Sequence, residues 1–310
     1  MEPATPWAGP GARPMVSYQL AEDSLGTHCA PSVSIEQGVA DGLNNSNGEA
    51  AASIAALQRG WAVVFPDYQG PHERFLDKKQ AAHGVLDGLR AARAFEPAEL
   101  SASPIAMLGY SGGSLATIWA AQQLSSYAPE LTLAGIAVGG VPVDVSASVA
   151  EVSGTQNAGL GILLLAAFNR FSPEVDIPAL LNERGRRMLA ETTDSCGFDF
   201  VTKYMFADVD DYTAAPNIGD NPRIREIAAE IAVDTTAPPV PTYFWHSTGD
   251  DLLPIAYDDR LAESWCAGGQ LTYVRTNIPT HAGGAVAWMP AALDDLGQRF
   301  DGTPLSPACG

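Results

Sequence analysis

Positive charge is scarce in this chain. Lysine and arginine together number 17, against 36 aspartate and glutamate residues, which leaves a formal net charge of -19. The acidic residues are spread along the chain rather than gathered in a tail. Because such a surface repels nucleic-acid phosphates and anionic lipid headgroups, we expect no nucleic-acid partner.

Long apolar runs are also lacking. The longest, LGILLLAAF from Leu160 to Phe168, has about half the length that a membrane-spanning helix requires. The first residues, MEPATP, carry neither the basic region nor the apolar region of a signal peptide. We therefore expect a soluble protein with no integral membrane segment, whose leader is absent or has been removed.

Cysteine is rare, and its spacing does not suggest a metal site. The four cysteines show no Cys-x-x-Cys or Cys/His pattern of the kind that binds zinc. Two disulfides fit this distribution better than a metal, and the alternative is four buried free thiols. The four positions are Cys29, Cys196, Cys266 and Cys309.

The hydrophobic content of the chain is sufficient for a large core. With 310 residues and 46% hydrophobic composition, it can form one α/β domain or two smaller ones. Short β-branched runs alternate with helical stretches, which is typical of a mainly parallel sheet. The predicted strands are Met15–Leu20, Ala62–Pro66, Ile105–Leu108, Leu133–Val138, Thr242–His246 and Leu271–Arg275. The predicted helices of this part are Ala81–Phe95, Ser114–Leu124 and Pro290–Phe300.

The strand pattern disappears in the middle of the chain. From residue 142 to residue 239 it is replaced by apolar helical patterns, including Leu160–Phe168 and Ile224–Ala232. This change predicts a helical cap over residues 142–239, inserted into an α/β core formed by residues 1–141 and 240–310. Whether the apolar face of the cap binds a ligand or only forms core stays open.

The segment Gly109-Tyr110-Ser111-Gly112-Gly113 carries the main chemical signal. It follows the apolar run PIAML and precedes the helical stretch SLATIWAAQQL, which is the strand, turn and helix context of the G-x-S-x-G nucleophile elbow. Glycines at both ends of such a turn let strand and helix approach each other without a Cβ collision. The motif predicts an α/β-hydrolase fold, a mainly parallel central sheet flanked by helices, with Ser111 as nucleophile.

A serine nucleophile needs a histidine base and a carboxylate that orients the histidine. In this fold they follow the serine in the order acid, then histidine. His281, in the segment NIPTHAGG after the predicted strand, is the candidate base, whereas His246 lies upstream of the acid candidates and is interpreted as structural. Asp250 and Asp251 both qualify as the acid, and the spacing from the strand favours Asp250.

Two backbone N–H groups are needed to stabilise the oxyanion of the tetrahedral intermediate. One is that of Gly112, directly after the nucleophile. The second belongs on the loop after an earlier strand, and Asp67 in the segment WAVVFPDYQGP is the candidate donor. The alternative is that Asp67 is a turn residue that bonds only its own backbone.

Taken together, several segments resemble the secretory lipase family, and they are spread over the whole chain. They are RPMVSY leading to CAPS, GWAVVFPDYQGP, HGVLDGLRAA, GYSGGS, SYAPELTLAGIAVGG, HSTGDDLLP, and ESWCAGG leading to His281. The acid loop departs slightly from the usual His-Gly-x-x-Asp of the family, since it reads His-Ser-Thr-Gly-Asp.

The resemblance implies a secreted triacylglycerol lipase or carboxylesterase with a cap that shapes an acyl tunnel. The residues it implies are a triad of Ser111, Asp250 and His281, an oxyanion hole of Asp67 and Gly112, and the disulfides Cys29–Cys196 and Cys266–Cys309.

We therefore predict a monomeric hydrolase of small-molecule or lipid esters that works through an acyl-enzyme on Ser111 without a cofactor or metal. Short-chain carboxylesterase and polyester hydrolase are alternatives within the class. A serine peptidase and a catalytically silent homologue are alternatives outside it.

Overall fold

The computed structural model describes residues 1–38 and 45–309. Seven strands of the described chain form one sheet in the order β2-β1-β3-β4-β5-β6-β7, and each neighbouring pair is parallel. The strands are β1 Met15–Gln19, β2 Ala62–Val64, β3 Ile105–Tyr110, β4 Leu133–Gly139, β5 Thr242–Gly249, β6 Leu271–Pro279 and β7 Ala308–Cys309. Parallel strands require crossover connections, and here helices supply most of them.

The helices cover both faces of this sheet. Alternate residues of β3 point to opposite faces, so Met107 packs into one apolar core and Leu108 into the other. The helices are α1 Pro31–Gln37, α2 Asn45–Ala50, α3 Ile54–Gln58, α4 Lys78–Ala94, α5 Gly112–Tyr127, α6 Val145–Val152, α7 Ala158–Phe171, α8 Ile177–Leu180, α9 Glu183–Glu191, α10 Gly197–Lys203, α11 Pro222–Ile231, α12 Ile255–Cys266 and α13 His281–Phe300. The predicted α/β architecture is confirmed.

The chain between β4 and β5 is helical, with α6 to α11 and two short 3-10 helices. The one β-type contact recorded there is an isolated bridge between Leu181 and Thr213. In the described residues, no helix combines the length and apolarity needed to cross a bilayer. The division into a core and a cap at residues 142 and 239 stays a prediction.

All six predicted strands form, and each begins at the predicted residue. The largest difference concerns α13, predicted to begin at Pro290, which in the structure begins at His281. The sequence places Gly283 and Gly284 in a loop, whereas in the structure both lie in α13. Gly284 allows close packing there, because a Cβ would lie 2.7 Å from the hydroxyl of Tyr110. Pro290 lies inside the helix.

Two disulfides join distant parts of the chain. Cys29 is bonded to Cys196 and Cys266 to Cys309, the pairing that the family resemblance implies. The first bond links the segment after β1 to the start of α10, and the second links the end of α12 to β7. Because Cys29 and Cys196 are 167 residues apart, their bond restricts the unfolded chain over a long loop.

Candidate active site

Ser111 lies at the sharp turn between β3 and α5. Its backbone adopts a φ of 52°, a left-handed conformation that serine rarely takes, and its N–H donates to the carbonyl of Gly139 at 3.0 Å. The flanking glycines are required by close contacts. A Cβ on Gly109 would lie 2.3 Å from the carbonyl oxygen of Gly113, and one on Gly113 would lie 1.9 Å from that of Gln19. The strained turn presents the Ser111 hydroxyl above the end of the sheet.

His281 reaches this hydroxyl from the first position of α13. Its Nε2 lies 2.8 Å from Oγ of Ser111. Thr280 caps the helix, since its side chain accepts a hydrogen bond from the N–H of Gly283. The hydroxyl of Tyr110 donates to the backbone carbonyl of His281 at 2.8 Å. Cap and tyrosine together hold the histidine at the elbow.

Asp250 contacts the other side of the imidazole. Its Oδ2 lies 2.7 Å from Nδ1 of His281, and its Oδ1 accepts from the N–H groups of Leu252 and Leu253 at 2.9 and 2.8 Å. Burial acts to raise the pKa of Asp250, but the hydrogen bond and charge of His281 and the two backbone donors outweigh it, so the pKa is lowered. The carboxylate is therefore held ionised against the imidazole.

Asp251, the second candidate acid, does not reach the imidazole ring in this arrangement. It is exposed, its Oδ1 accepts from the backbone N–H of His281 at 2.8 Å, and its Oδ2 accepts from Gln156 at 2.9 Å. Asp251 thus links the start of α13 to the helical segment, while Asp250 occupies the position of a triad acid.

The structure corrects the position predicted for Asp67. Its side chain is exposed and accepts hydrogen bonds from the N–H and hydroxyl of Ser32, and it does not line the cavity at Ser111. Asp23, in the loop after β1, occupies that place. Its Oδ1 would lie 1.9 Å from a Cβ on Gly112, and it lines the cavity together with Ser111 and Gly112.

The strand order explains this error. β1 pairs directly with β3, whereas β2 lies one strand further out at the sheet edge. The loop after β1 therefore lies beside the elbow, and the loop of Asp67 does not. The segment LAEDSLG after the first predicted strand is the sequence signal that points to Asp23, but it identifies the loop only once β1 is known to neighbour β3.

The ionised, buried carboxylate of Asp23 lowers the stability of the folded protein, and this effect can be measured. Burial raises its pKa from the ordinary 3.8 to about 6, although the charge of His281 acts in the opposite direction. Below pH 3.8 the charge of Asp23 does not lower the free energy of unfolding. This destabilisation increases as the pH rises and is complete above about pH 6. We expect Asp23→Asn to raise the free energy of unfolding at pH 8 by up to about 3 kcal/mol and by much less at pH 4.5, as measured by urea unfolding.

Asp67→Asn is the control for this prediction, because the Asp67 side chain is exposed. We expect no comparable gain from it at pH 8. An Asp23→Asn gain that is the same at both pH values would contradict the assignment of a buried charge to Asp23.

A narrow apolar cavity opens at Ser111. It contains about 530 Å³ of space between the atoms, open solvent at its mouth included. Helices α6 and α7 supply much of its lining, and the remainder comes from the acid loop, the elbow with the start of α5, and the loops after β1, before α4 and after β4. Its apolar lining includes Leu76, Leu115, Val152, Leu160, Leu164 and Leu253. The walls of the cavity are largely apolar, and Ser111 is among the residues that line it.

One group of described residues brings three potential metal ligands together, namely His28, Cys29 and Cys196. The two sulfurs are joined in a disulfide, so they are not the thiolates that bind metals. This group does not fit a metal ion as long as the bond is intact.

The chain is similar to known lipases in sequence and in structure. A model of the secretory lipase family matches residues 46–307. A Mycobacterium tuberculosis protein described as a probable inactive lipase is 32% identical over 299 residues, which cover 94% of this chain and 67% of that protein. A secreted triacylglycerol lipase of Malassezia furfur is 28% identical over 308 residues, covering 95% of this chain and 66% of that protein.

The structural similarity extends over nearly the whole chain. The X-ray structure of Candida antarctica lipase A matches with a TM-score of 0.83 and 27% identity, over 99% of this chain and 74% of that chain. The chain spans about two thirds of the length of the two curated relatives.

Proposed function

Because the chain belongs to the secretory lipase family and is by that membership a carboxylic ester hydrolase, we propose that it cleaves acylglycerols or related esters through an acyl-enzyme on Ser111. The observation that carries this proposal is the continuous contact from Ser111 Oγ to His281 Nε2 and from His281 Nδ1 to Asp250 Oδ2, at 2.8 and 2.7 Å.

The proposed reaction has two halves. His281 accepts the proton of the Ser111 hydroxyl as its oxygen attacks the ester carbonyl carbon, and then donates this proton to the departing alcohol. Water then attacks the acyl-enzyme with His281 as base, and His281 passes the proton it took to Ser111 Oγ as the acyl bond breaks and the carboxylic acid leaves. Asp250 stabilises the imidazolium in both halves, and the chemistry requires no cofactor.

Two backbone N–H groups are proposed to bind the oxyanion. Gly112 is the first residue of α5, where backbone N–H groups lack a partner within the helix. Asp23 lies against Gly112 in the same cavity, so its backbone N–H replaces that of Asp67 as the second proposed donor. A negative charge at this point is also favoured by the N-terminus of α5.

The helical segment is proposed to act as a cap that holds the acyl chain. Val152, Leu160 and Leu164 belong to its helices α6 and α7 and line the cavity. Family membership and two disulfides favour a secreted protein. We keep the earlier expectation that the enzyme acts as a monomer.

Hydrolysis of p-nitrophenyl butyrate and p-nitrophenyl palmitate by the wild-type protein tests the proposed function. We expect both esters to be cleaved and a p-nitroanilide peptide substrate to remain intact. A folded protein, verified by circular dichroism, that cleaves neither ester would favour a catalytically silent homologue. Cleavage of the anilide in preference to the esters would favour a peptidase.

The half-buried Leu160 offers a test of the acyl site. We expect Leu160→Trp to fill part of the cavity and to lower the ratio of kcat/KM for palmitate over butyrate by about tenfold or more, because each methylene that loses its place in an apolar pocket costs about 1–3 kcal/mol. The measurement is the chain-length profile of p-nitrophenyl esters.

Leu189→Trp is the matched control. Leu189 is also half-buried in a helix of the same segment, α9, but it does not line the cavity. If both variants alter the chain-length profile equally, the cavity is not the acyl site.

A further inference from the structure

A second histidine–aspartate pair is buried behind Asp250. His246, on β5, and Asp258, in α12, are both 0% exposed, and His246 Nδ1 lies 2.8 Å from Asp258 Oδ1. The other ring nitrogen, Nε2, lies 3.0 Å from the carbonyl oxygen of Leu253 and 3.4 Å from Oδ2 of Asp250. The mechanism proposed above uses neither residue of this pair.

The contacts of the ring determine how many protons the pair holds. Nε2 faces the carbonyl of Leu253, which can only accept, so Nε2 carries a proton. At 2.8 Å from Oδ1 of Asp258, an unprotonated Nδ1 would face a carboxylate lone pair to lone pair, so the contact favours a second proton on one of the two groups. The pair is therefore an imidazolium with a carboxylate, or an imidazole with a carboxylic acid, and it is neutral overall in both forms.

The surroundings favour the charged form of the histidine. Burial acts to lower the pKa of His246, but the contact and charge of Asp258, together with Asp250, outweigh it and raise the pKa. Burial raises the pKa of Asp258 to about 6, against the opposing effect of His246. The charges around the pair thus favour an imidazolium bound to a carboxylate.

Other titratable groups nearby either stay neutral or belong to the site. Burial raises the pKa of Tyr110 on β3 and of Tyr273 on β6, and the negative charge of Asp258 raises both further, so they remain protonated. Asp251 is exposed at the surface. His281 is separated from His246 by Asp250, whose Oδ2 contacts both rings.

We propose that His246 and Asp258 are positioning residues for Asp250, an inference that rests on the proposed function. His246 holds the acid loop by donating to the carbonyl of Leu253, and its positive ring lies beside the Asp250 carboxylate. Asp258 holds the ring in that state and also accepts from the N–H of Val141 at 3.2 Å, which ties the acid loop to the end of β4.

The effect on catalysis follows from charge. A positive ring 3.4 Å from Oδ2 of Asp250 partly offsets the negative charge that this carboxylate presents to His281. Without it, the full negative charge of the Asp250 carboxylate faces the His281 ring. The pair thus extends activity toward acidic pH.

Asp258→Asn tests the proposal because it removes the charge while it preserves the shape. The amide can donate to Nδ1 of a neutral His246, so this contact survives without the imidazolium. The hydrogen bond from the N–H of Val141 to the same Oδ1 position is then lost. We expect kcat/KM for p-nitrophenyl butyrate to fall about tenfold and the acid limb of its pH profile to move up by about one pH unit.

Asp259→Asn is the matched control on the adjacent residue of α12. Asp259 is half-buried and contacts Tyr273 and Arg275, away from the acid loop, so its substitution should leave the acid limb in place. If the two variants have the same pH profile, the positioning role is wrong. If instead the wild-type protein cleaves no ester, or if Ser111→Ala retains full activity, the proposed function itself has failed.

A measurement on the wild-type protein covers the case in which Asp258→Asn does not fold. In ¹⁵N-histidine-labelled protein at pH 7, we expect both ring nitrogens of His246 to carry protons. A neutral His246 at that pH, with one unprotonated nitrogen, would overturn the proposal whatever the variants do.

Discussion

Replacement of Ser111 by alanine is expected to lower kcat for p-nitrophenyl butyrate by a factor on the order of 10⁵ or more, the scale found when a triad nucleophile is removed. The hydroxyl of Ser111 is the one that contacts His281 Nε2, at 2.8 Å, and alanine has no atom that can form the acyl-enzyme. The positive φ of 52° is as demanding for alanine as for serine, so we expect the folded state to be retained. Initial rates and circular dichroism measure the two effects separately.

Ser126→Ala provides the control, because Ser126 lies near the other end of α5 and bonds only a local carbonyl, that of Gln123. It should keep wild-type activity. Treatment with a fluorophosphonate should add one label to the wild type and to Ser126→Ala, and none to Ser111→Ala. Labelling of Ser111→Ala at full stoichiometry would show that another residue is the nucleophile.

The sheet could be predicted from sequence because its strands carry local signals. Each predicted strand begins at the observed residue, since β-branched and apolar runs mark the buried part of a strand. The predicted strand ends are less accurate, since β5 continues to Gly249 and β6 to Pro279. These extensions contain polar residues that show no strand pattern of their own and are held in the sheet by pairing with the neighbouring strand. β7 contains two residues and has no recognisable signal.

Some residues of the candidate site likewise have a local sequence signal, and others depend on the tertiary structure. A local motif predicts Ser111, and the order along the chain predicts His281 and Asp250, while the contacts among the three depend on the fold. Asp23 was missed because its place depends on which strand neighbours β3, and strand order is a property of the whole chain. Choosing the loop after β2 led to Asp67.

His246 shows a different limit of sequence reasoning. Its position at the end of a predicted strand, upstream of the acid candidates, predicts a structural residue, and in the structure it is fully buried. Its contact with Asp258 depends on the path by which α12 returns to β5. A lone aspartate four residues after Pro254 carries no pattern that would associate it with a histidine twelve residues upstream.

The second large effect is expected when one of the two adjacent aspartates, Asp250, is replaced. We expect Asp250→Asn to lower kcat by about 10⁴-fold, since an amide in place of the carboxylate favours the wrong tautomer of the base and cannot stabilise its cation. Asp251→Asn should lower kcat by about tenfold or less, because Asp251 is exposed and contacts His281 at its backbone N–H, not at its ring. Steady-state rates with p-nitrophenyl butyrate measure both.

The two variants act as controls for each other, since they make the same chemical change at neighbouring positions. Removal of Asp250 also leaves the N–H groups of Leu252 and Leu253 to the single amide oxygen of asparagine, so its stability is to be measured by urea unfolding alongside activity. A smaller loss for Asp250→Asn than for Asp251→Asn would assign the acid to Asp251. With Asp250 as the acid, the difference between the two should persist at every pH at which the wild type is active, because the lowered pKa of Asp250 keeps its carboxylate ionised throughout.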